Sequence, residues 1–185
     1  MKTEIVTLEF NHKRQGGLWL ISIGLVLAVS MIFGGGFIVN PIIFLTGYYL
    51  FFYIVNINKK VREKLSQGGI SKFQIKMIYF SIASLFLLMF CIAGPFIPSW
   101  NWRMIWLGVM LATGIHFLIW YFIHGRVMMI LGVICSVIAV CGYIFSDKSF
   151  YIFGAADALA KACFGAYMLF LSKPSSVSIR KRVKE

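Results

Sequence analysis

The chain has 185 residues, of which 60% are apolar and only 13% charged, against roughly 45–50% and about 25% in soluble domains. Too little polar surface exists to cover such a chain in water, so most of it is expected to face lipid. The formal charge of +12 would suit a nucleic-acid binder if it formed one patch, but the basic residues fall in particular connections and no nucleic-acid partner is expected.

In chain order, residues 1–16 read as a polar N-terminal tail, residues 17–171 as a six-helix transmembrane domain and residues 172–185 as a basic tail. An apolar run needs about 20 residues to cross a bilayer. The runs at 17–34, 37–56, 77–97, 103–123, 127–145 and 150–171 qualify or come close. The expected fold class is therefore all-α, a polytopic membrane bundle. The first run loosely resembles a signal peptide, with Ala28-Val29-Ser30 as its cleavage-like site. Its leader contains Glu4 and Glu9, which favours an uncleaved helix. Gly34-Gly35-Gly36 makes the first hairpin. Gly94-Pro95 and Pro98 break the third helix before Trp100-Asn101-Trp102, a pattern suited to a membrane interface.

Orientation follows from Lys and Arg. The N-terminal tail, the second connection (59–76), Arg126 and the C-terminal tail hold fifteen of the eighteen basic residues. Arg103 and Lys148 fall on the other side, and Lys161 lies within a span. The positive-inside rule then places both termini in the cytoplasm. The basic segments 59–76 and 173–184 suit contact with anionic lipid headgroups.

Ionisable side chains deep in a span are the sharpest functional signal, because each is costly unless paired or hydrated. His116, Asp157 and Lys161 qualify. Asp157 and Lys161 are four residues apart and share one helix face with Gly154, Ala158 and Gly165, so direct pairing inside the bundle is expected. His116 sits at a similar depth, which allows a shared polar site. Asn40-Pro41 is expected to break the first turn of the second helix and leave backbone groups for a ligand. His124 falls beside Gly125 and Arg126 at the inner surface, where hydration is expected. Small residues at Gly24/Ala28, Gly108/Ala112 and Gly132/Ser136 suit close helix packing, and also a homo-oligomer or a membrane partner.

Cys91, Cys135, Cys141 and Cys163 lie in apolar segments without a C-x-x-C pair, so neither metal nor cofactor is expected. The chain has no glycine-rich phosphate loop, H-E-x-x-H or G-x-S-x-G motif. The one conceivable nucleophile–base set is His116 with Ser81 or Ser84, and no spacing favours it. An enzyme is not expected.

Asn40-Pro41-Ile42-Ile43-Phe44-Leu45 with Gly47-Tyr48, Arg62-Glu63-Lys64-Leu65 through Ile70-Ser71-Lys72-Phe73-Gln74, and Asn101-Trp102-Arg103 through Leu111-Ala112-Thr113-Gly114-Ile115-His116-Phe117 to His124-Gly125 resemble a family of short, uncharacterised six-span membrane proteins found mainly in Gram-positive bacteria. The resemblance implies a bacterial cell membrane and six spans, and lends no catalytic residues. Size and helix number are also similar to substrate-binding membrane subunits of vitamin importers and to acid-stress membrane proteins, on architecture alone. Two functions stay open. One is a small transporter or solute-binding membrane subunit with a site among His116, Asp157, Lys161 and Asn40. The other is a noncatalytic accessory, stress or immunity-type protein acting through helix–helix contacts. A polar cavity reaching one surface favours the first, and a fully packed interior the second.

Overall fold

The computed structural model describes residues 2–183, with side chains from Thr7 to Ser178. Its helices are α1 (Lys13–Ile32), α2 (Pro41–Phe52), α3 (Lys59–Leu65), α4 (Lys72–Ile92), α5 (Trp102–Ile119), α6 (Tyr121–His124), α7 (Arg126–Ile144) and α8 (Phe150–Ala166). Short π-helical turns, Tyr53–Ile57 and Tyr167–Leu171, extend α2 and α8. Five helices are long and apolar enough to cross a membrane. A sixth crossing results if Pro41–Ile57 and α3, bent by 64°, count as one span.

Helix starts follow capping more than hydropathy. α2 begins at Pro41, not at 37, because proline at the first helical position lacks only an N–H that has no partner there anyway. Asn40 caps it, accepting from the amides of Ile42 (3.1 Å) and Ile43 (3.2 Å) and donating to the Phe33 carbonyl (3.1 Å). The backbone groups expected to be free for a ligand are therefore satisfied. α4 begins at Lys72, five residues earlier than hydropathy suggested, since Ser71 and Gln74 form a reciprocal capping box. In the first hairpin only Gly35 takes a positive φ (52°) among its glycines.

The two tails differ most from expectation. Lys2–Phe10 (β1) pairs antiparallel with Ser175–Val183 (β2), in register from Lys2 opposite Val183 to Phe10 opposite Ser175. The chain is thus a helical bundle, as its composition implies, to which the tails add a two-stranded ribbon. The physical reason is alternation: Leu8 and Phe10 are buried while Thr7 and Glu9 are exposed, the period of a half-buried strand. Gln74, itself buried, ties the ribbon down by donating to the carbonyls of Glu9 (2.8 Å) and Phe122 (3.2 Å). Lys13 donates to the Lys173 carbonyl (3.0 Å) and the Ser175 hydroxyl (2.8 Å), joining the start of α1 to the end of the bundle. The side chains of Arg180, Lys181 and Arg182, and the whole of Lys184, on which much of the expected lipid contact of 173–184 falls, lie outside the described ones.

Helix α1 packs on α8, and α5 on α7, with α7 and α8 also in contact. The first seam is backbone against backbone. A Cβ on Gly17 would lie 2.6 Å from the Gly165 carbonyl oxygen, and one on Gly165 would lie 2.7 Å from that of Gly17. Small residues do here what they do in lipid generally, letting van der Waals contact replace a hydrophobic effect that bilayer interiors do not supply. Leu107, Met110, Ala139, Phe150 and Ala158 fill one core, and Leu20, Leu131, Cys135 and Met168 a second. On the sparsely charged side, Arg103 donates to the carbonyls of Gly142 (2.9 Å), Phe145 (3.2 Å) and Lys148 (2.8 Å), a cation at the C-terminal end of α7. The other side of the bundle is looser. Helix α2 packs on α1 and α4 on α5, but α2 and α4 do not pack on each other.

Candidate functional site

The space between α2 and α4 is a cavity of about 730 Å³, within the ~300–1,000 Å³ usual for small-molecule sites. Its wall is mostly apolar. The polar groups come from His12, Gln15, Asn56, Arg62, Glu63 and a line on α5 and α6, and the chain's three histidines, His12, His116 and His124, all take part.

His116, Trp120 and His124 stand four residues apart, so the α-helical repeat stacks them on one face. Ring centroids of His116 and Trp120 are 5.7 Å apart, and those of Trp120 and His124 are 5.1 Å apart with planes at 18°. Gly125, at φ 81° and ψ −163°, holds a turn that only glycine adopts readily and ends α6 there. The bare backbone of Gly16 on α1 lets His124 approach, since a Cβ there would lie 2.7 Å from the imidazole Cε1. His124 is consequently only 2% exposed. This corrects the expectation of a hydrated surface histidine: α1 and the β-ribbon cover that end of the bundle.

The wall is short of hydrogen-bond partners. Neither nitrogen of His124 has one, nor has the indole N–H of Trp120 or Nε2 of His12. Each such buried group costs about 1–3 kcal/mol. Burial, with Coulombic opposition from the neighbouring His12 and Lys13, pushes the His124 pKa down to about 3, so its ring is neutral and offers one donor and one acceptor. Burial also holds His12 below the ordinary imidazole value, with the Gln15 hydrogen bond opposing it. Gln15 donates to the Val55 carbonyl and to Asn56 Oδ1, both at 3.2 Å, so its oxygen is free to accept from His12 Nδ1 at 3.3 Å. That leaves the unpartnered Nε2 of neutral His12 as an acceptor. The π-helical turn after α2 supplies both Val55 and Asn56, an example of such turns gathering at sites.

At the deep end, His116 Nδ1 lies 2.9 Å from Ser81 Oγ and 2.8 Å from the Ser81 carbonyl oxygen. The serine–histidine neighbourhood considered from sequence thus exists. Among the described residues no carboxylate joins it to orient the ring.

Asp157 and Lys161 pair with each other on α8, at 0% and 4% side-chain exposure, as their spacing implies. Cys135 of α7 is close to both, and Asp157 Oδ1 has no partner. No hydrogen bond or ion pair links His116 to them among the described residues. The structure therefore separates the expected site residues. His116 lines the cavity, Asp157 and Lys161 lie in the α7–α8 seam, and Asn40 caps a helix at the far end. The residues missed were His12, Gln15, Trp120 and His124. Only the four-residue spacing of His116, Trp120 and His124 was legible beforehand; His12 and Gln15 arrive by long-range packing.

No curated protein and no solved structure is similar to the chain. Residues 3–178 match the model of the family of unknown function DUF6609, and the chain belongs to that family.

Proposed function

We propose that the chain is a six-span protein of a bacterial cell membrane, both termini cytoplasmic, that binds a small solute in this cavity as a small transporter or solute-binding membrane subunit. The observation that carries the reading is a cavity whose wall contains every histidine of the chain and several buried, unpartnered polar groups. Most buried polar groups are paired, so a cluster of unmet ones in a cavity wall points to a ligand. The topology draws support from the asymmetry of basic residues and from the β1–β2 pairing, which sets the two ends side by side and so needs an even number of crossings. The bent second pair supplies the sixth, crossing over Pro41–Ile57 and turning by 64° into α3 at the headgroups. The basic segments 59–76 and 173–184 are placed by this topology at the cytoplasmic headgroups. His116 belongs to the solute site, while the Asp157–Lys161 pair fixes α8 in register and Asn40 holds the outer hairpin.

One feature favours the accessory reading. A shallow groove on the outer face of α1 and α8 is lined by Gly24, Ala28, Ala155, Ala158 and Ala162, where a partner's helix would seat closely.

Single cysteines in a background lacking the native four test the proposal with a membrane-impermeant thiol reagent. Ser66→Cys, Ser175→Cys and the cavity-lining Ile78→Cys are expected to react in inside-out vesicles and not in intact cells, and Ser149→Cys to do the reverse. Inert Ile78→Cys on both sides would mean a dry interior and favour the accessory protein. Opposite accessibility of Ser66→Cys and Ser175→Cys would end the six-span topology.

A further inference from the structure

The cavity has two unlike ends. Exposed Arg62, Glu63 and Gly69 stand at one, beside His12 and His124. At the other, the wall consists of Tyr48 and Phe52 from α2 and Ile75, Tyr79, Ile82 and Phe86 from α4. The α4 residues recur at helical spacing over about 16 Å, at 1.5 Å per residue. Tyr79 and Phe86 are 72% and 65% exposed, on a helix that is long and apolar enough to cross a membrane. Since α2 and α4 do not pack together, this end opens sideways onto the surface that meets acyl chains in a bilayer, while the charged end faces headgroups and water.

Resting on the solute-binding reading, we propose that the ligand is a single-chain amphiphile with a carboxylic acid head, a long-chain fatty acid, which enters from the bilayer between α2 and α4. Its chain lies along the Ile75–Phe86 stripe and its head reaches His12 and His124. The choice of head follows from hydrogen-bond complementarity. Neutral His124 has an unmet N–H donor and neutral His12 an unmet Nε2 acceptor, and a protonated carboxyl group can accept from the one and donate to the other; a phosphodiester has acceptors only. Arg62 makes no ion pair among the described residues, whereas Glu63 already has Lys59 at 3.8 Å. The mouth therefore holds an uncommitted cation that attracts the carboxylate form. One groove, with one apolar stripe, suits one chain.

The test uses the full chain in phosphatidylcholine vesicles and palmitate carrying a mid-chain diazirine, with crosslinked peptides mapped by mass spectrometry. A parallel arm uses diazirine-labelled phosphatidylglycerol. Labelling is expected at Tyr79, Ile82 and Phe86 above that at Val137, a lipid-facing residue of α7, and excess unlabelled palmitate should remove the difference. His124→Leu should weaken the competed labelling about fivefold, as for the loss of one hydrogen-bonded contact. The exposed substitutions Arg62→Gln and Ile82→Trp, neither of which touches a core, should weaken it too. Labelling of α4 no stronger than that of Val137, or not competed by palmitate, overturns the proposal. So does competed labelling by the phosphatidylglycerol probe with none by palmitate. If Ile78→Cys still reacts from the cytoplasmic side in that event, the solute cavity stands and only the fatty-acid assignment falls.

Discussion

The α1–α8 and α5–α7 half of the bundle and the α2–α4 half solve the same problem in opposite ways. In the first, glycines bring backbones into contact, and a buried acid and base sit four residues apart, where each neutralises the other. In the second, α2 and α4 share no substantial contact, and His124, the Trp120 indole N–H and Nε2 of His12, which line the space there, lack partners. In the packed half the two buried charges neutralise each other, although Asp157 Oδ1 still lacks a partner. A half that leaves a cluster of polar groups unmet gives up stability in exchange for a place to bind, the compromise expected at functional sites.

Charge removal should break this comparison most visibly. Asp157→Asn or Lys161→Met alone leaves an uncompensated buried charge and should cost about 3–5 kcal/mol, read as a fall in thermal midpoint and folded yield in detergent. The double variant should recover most of the loss. Equal and additive losses would show that the two side chains do not interact.

Next in size is the packed seam itself. Gly17→Ala places a methyl 2.6 Å from backbone atoms of α8, which must move, at about 1–3 kcal/mol for overpacking. Gly36→Ala has open space around it and should leave the midpoint unchanged. A Gly17→Ala variant as stable as wild type would mean that the seam is less tight than the backbone distances imply.

The cavity half should respond in the contrary sense. His124→Leu removes two unpartnered nitrogens at the loss of one stacking contact on Trp120, so its stability should stay within about 1 kcal/mol of wild type. A loss as large as that of Lys161→Met would show that His124 is satisfied and erase the distinction between the halves.

Near neutral pH the smallest effect is that of protonation. His124 has a folded pKa of about 3 against an ordinary 6.5, so the unfolded chain binds the proton more readily. Its contribution is fully present above 6.5 and declines as pH falls from there toward about 3. Thermal midpoints should be flat above that range and drop as pH falls through it, and His124→Leu should shallow the slope. An unchanged slope would assign the acid sensitivity to other groups.

Much of this was legible in the residues. Long apolar runs with few charges read as helices able to cross a membrane, because lipid leaves the backbone no partner but itself. The lopsided basic residues, the helix-breaking prolines and the four-residue spacing of Asp157 and Lys161 are likewise local facts of the chain. The alternation in Thr7–Phe10 was legible too, but a strand has no meaning until its partner is known, and β2 lies at the other end of the sequence. The site was hidden for the same reason. Whether His124 is hydrated depends on Gly16 and the ribbon that cover it, and His12 meets the line on α5 and α6 only through tertiary packing. Above all, a cavity is the absence of a contact, between α2 and α4, and no pattern within either helix encodes what the other fails to touch. Composition and periodicity fix which surfaces avoid water; only the three-dimensional arrangement decides which polar groups are left without partners.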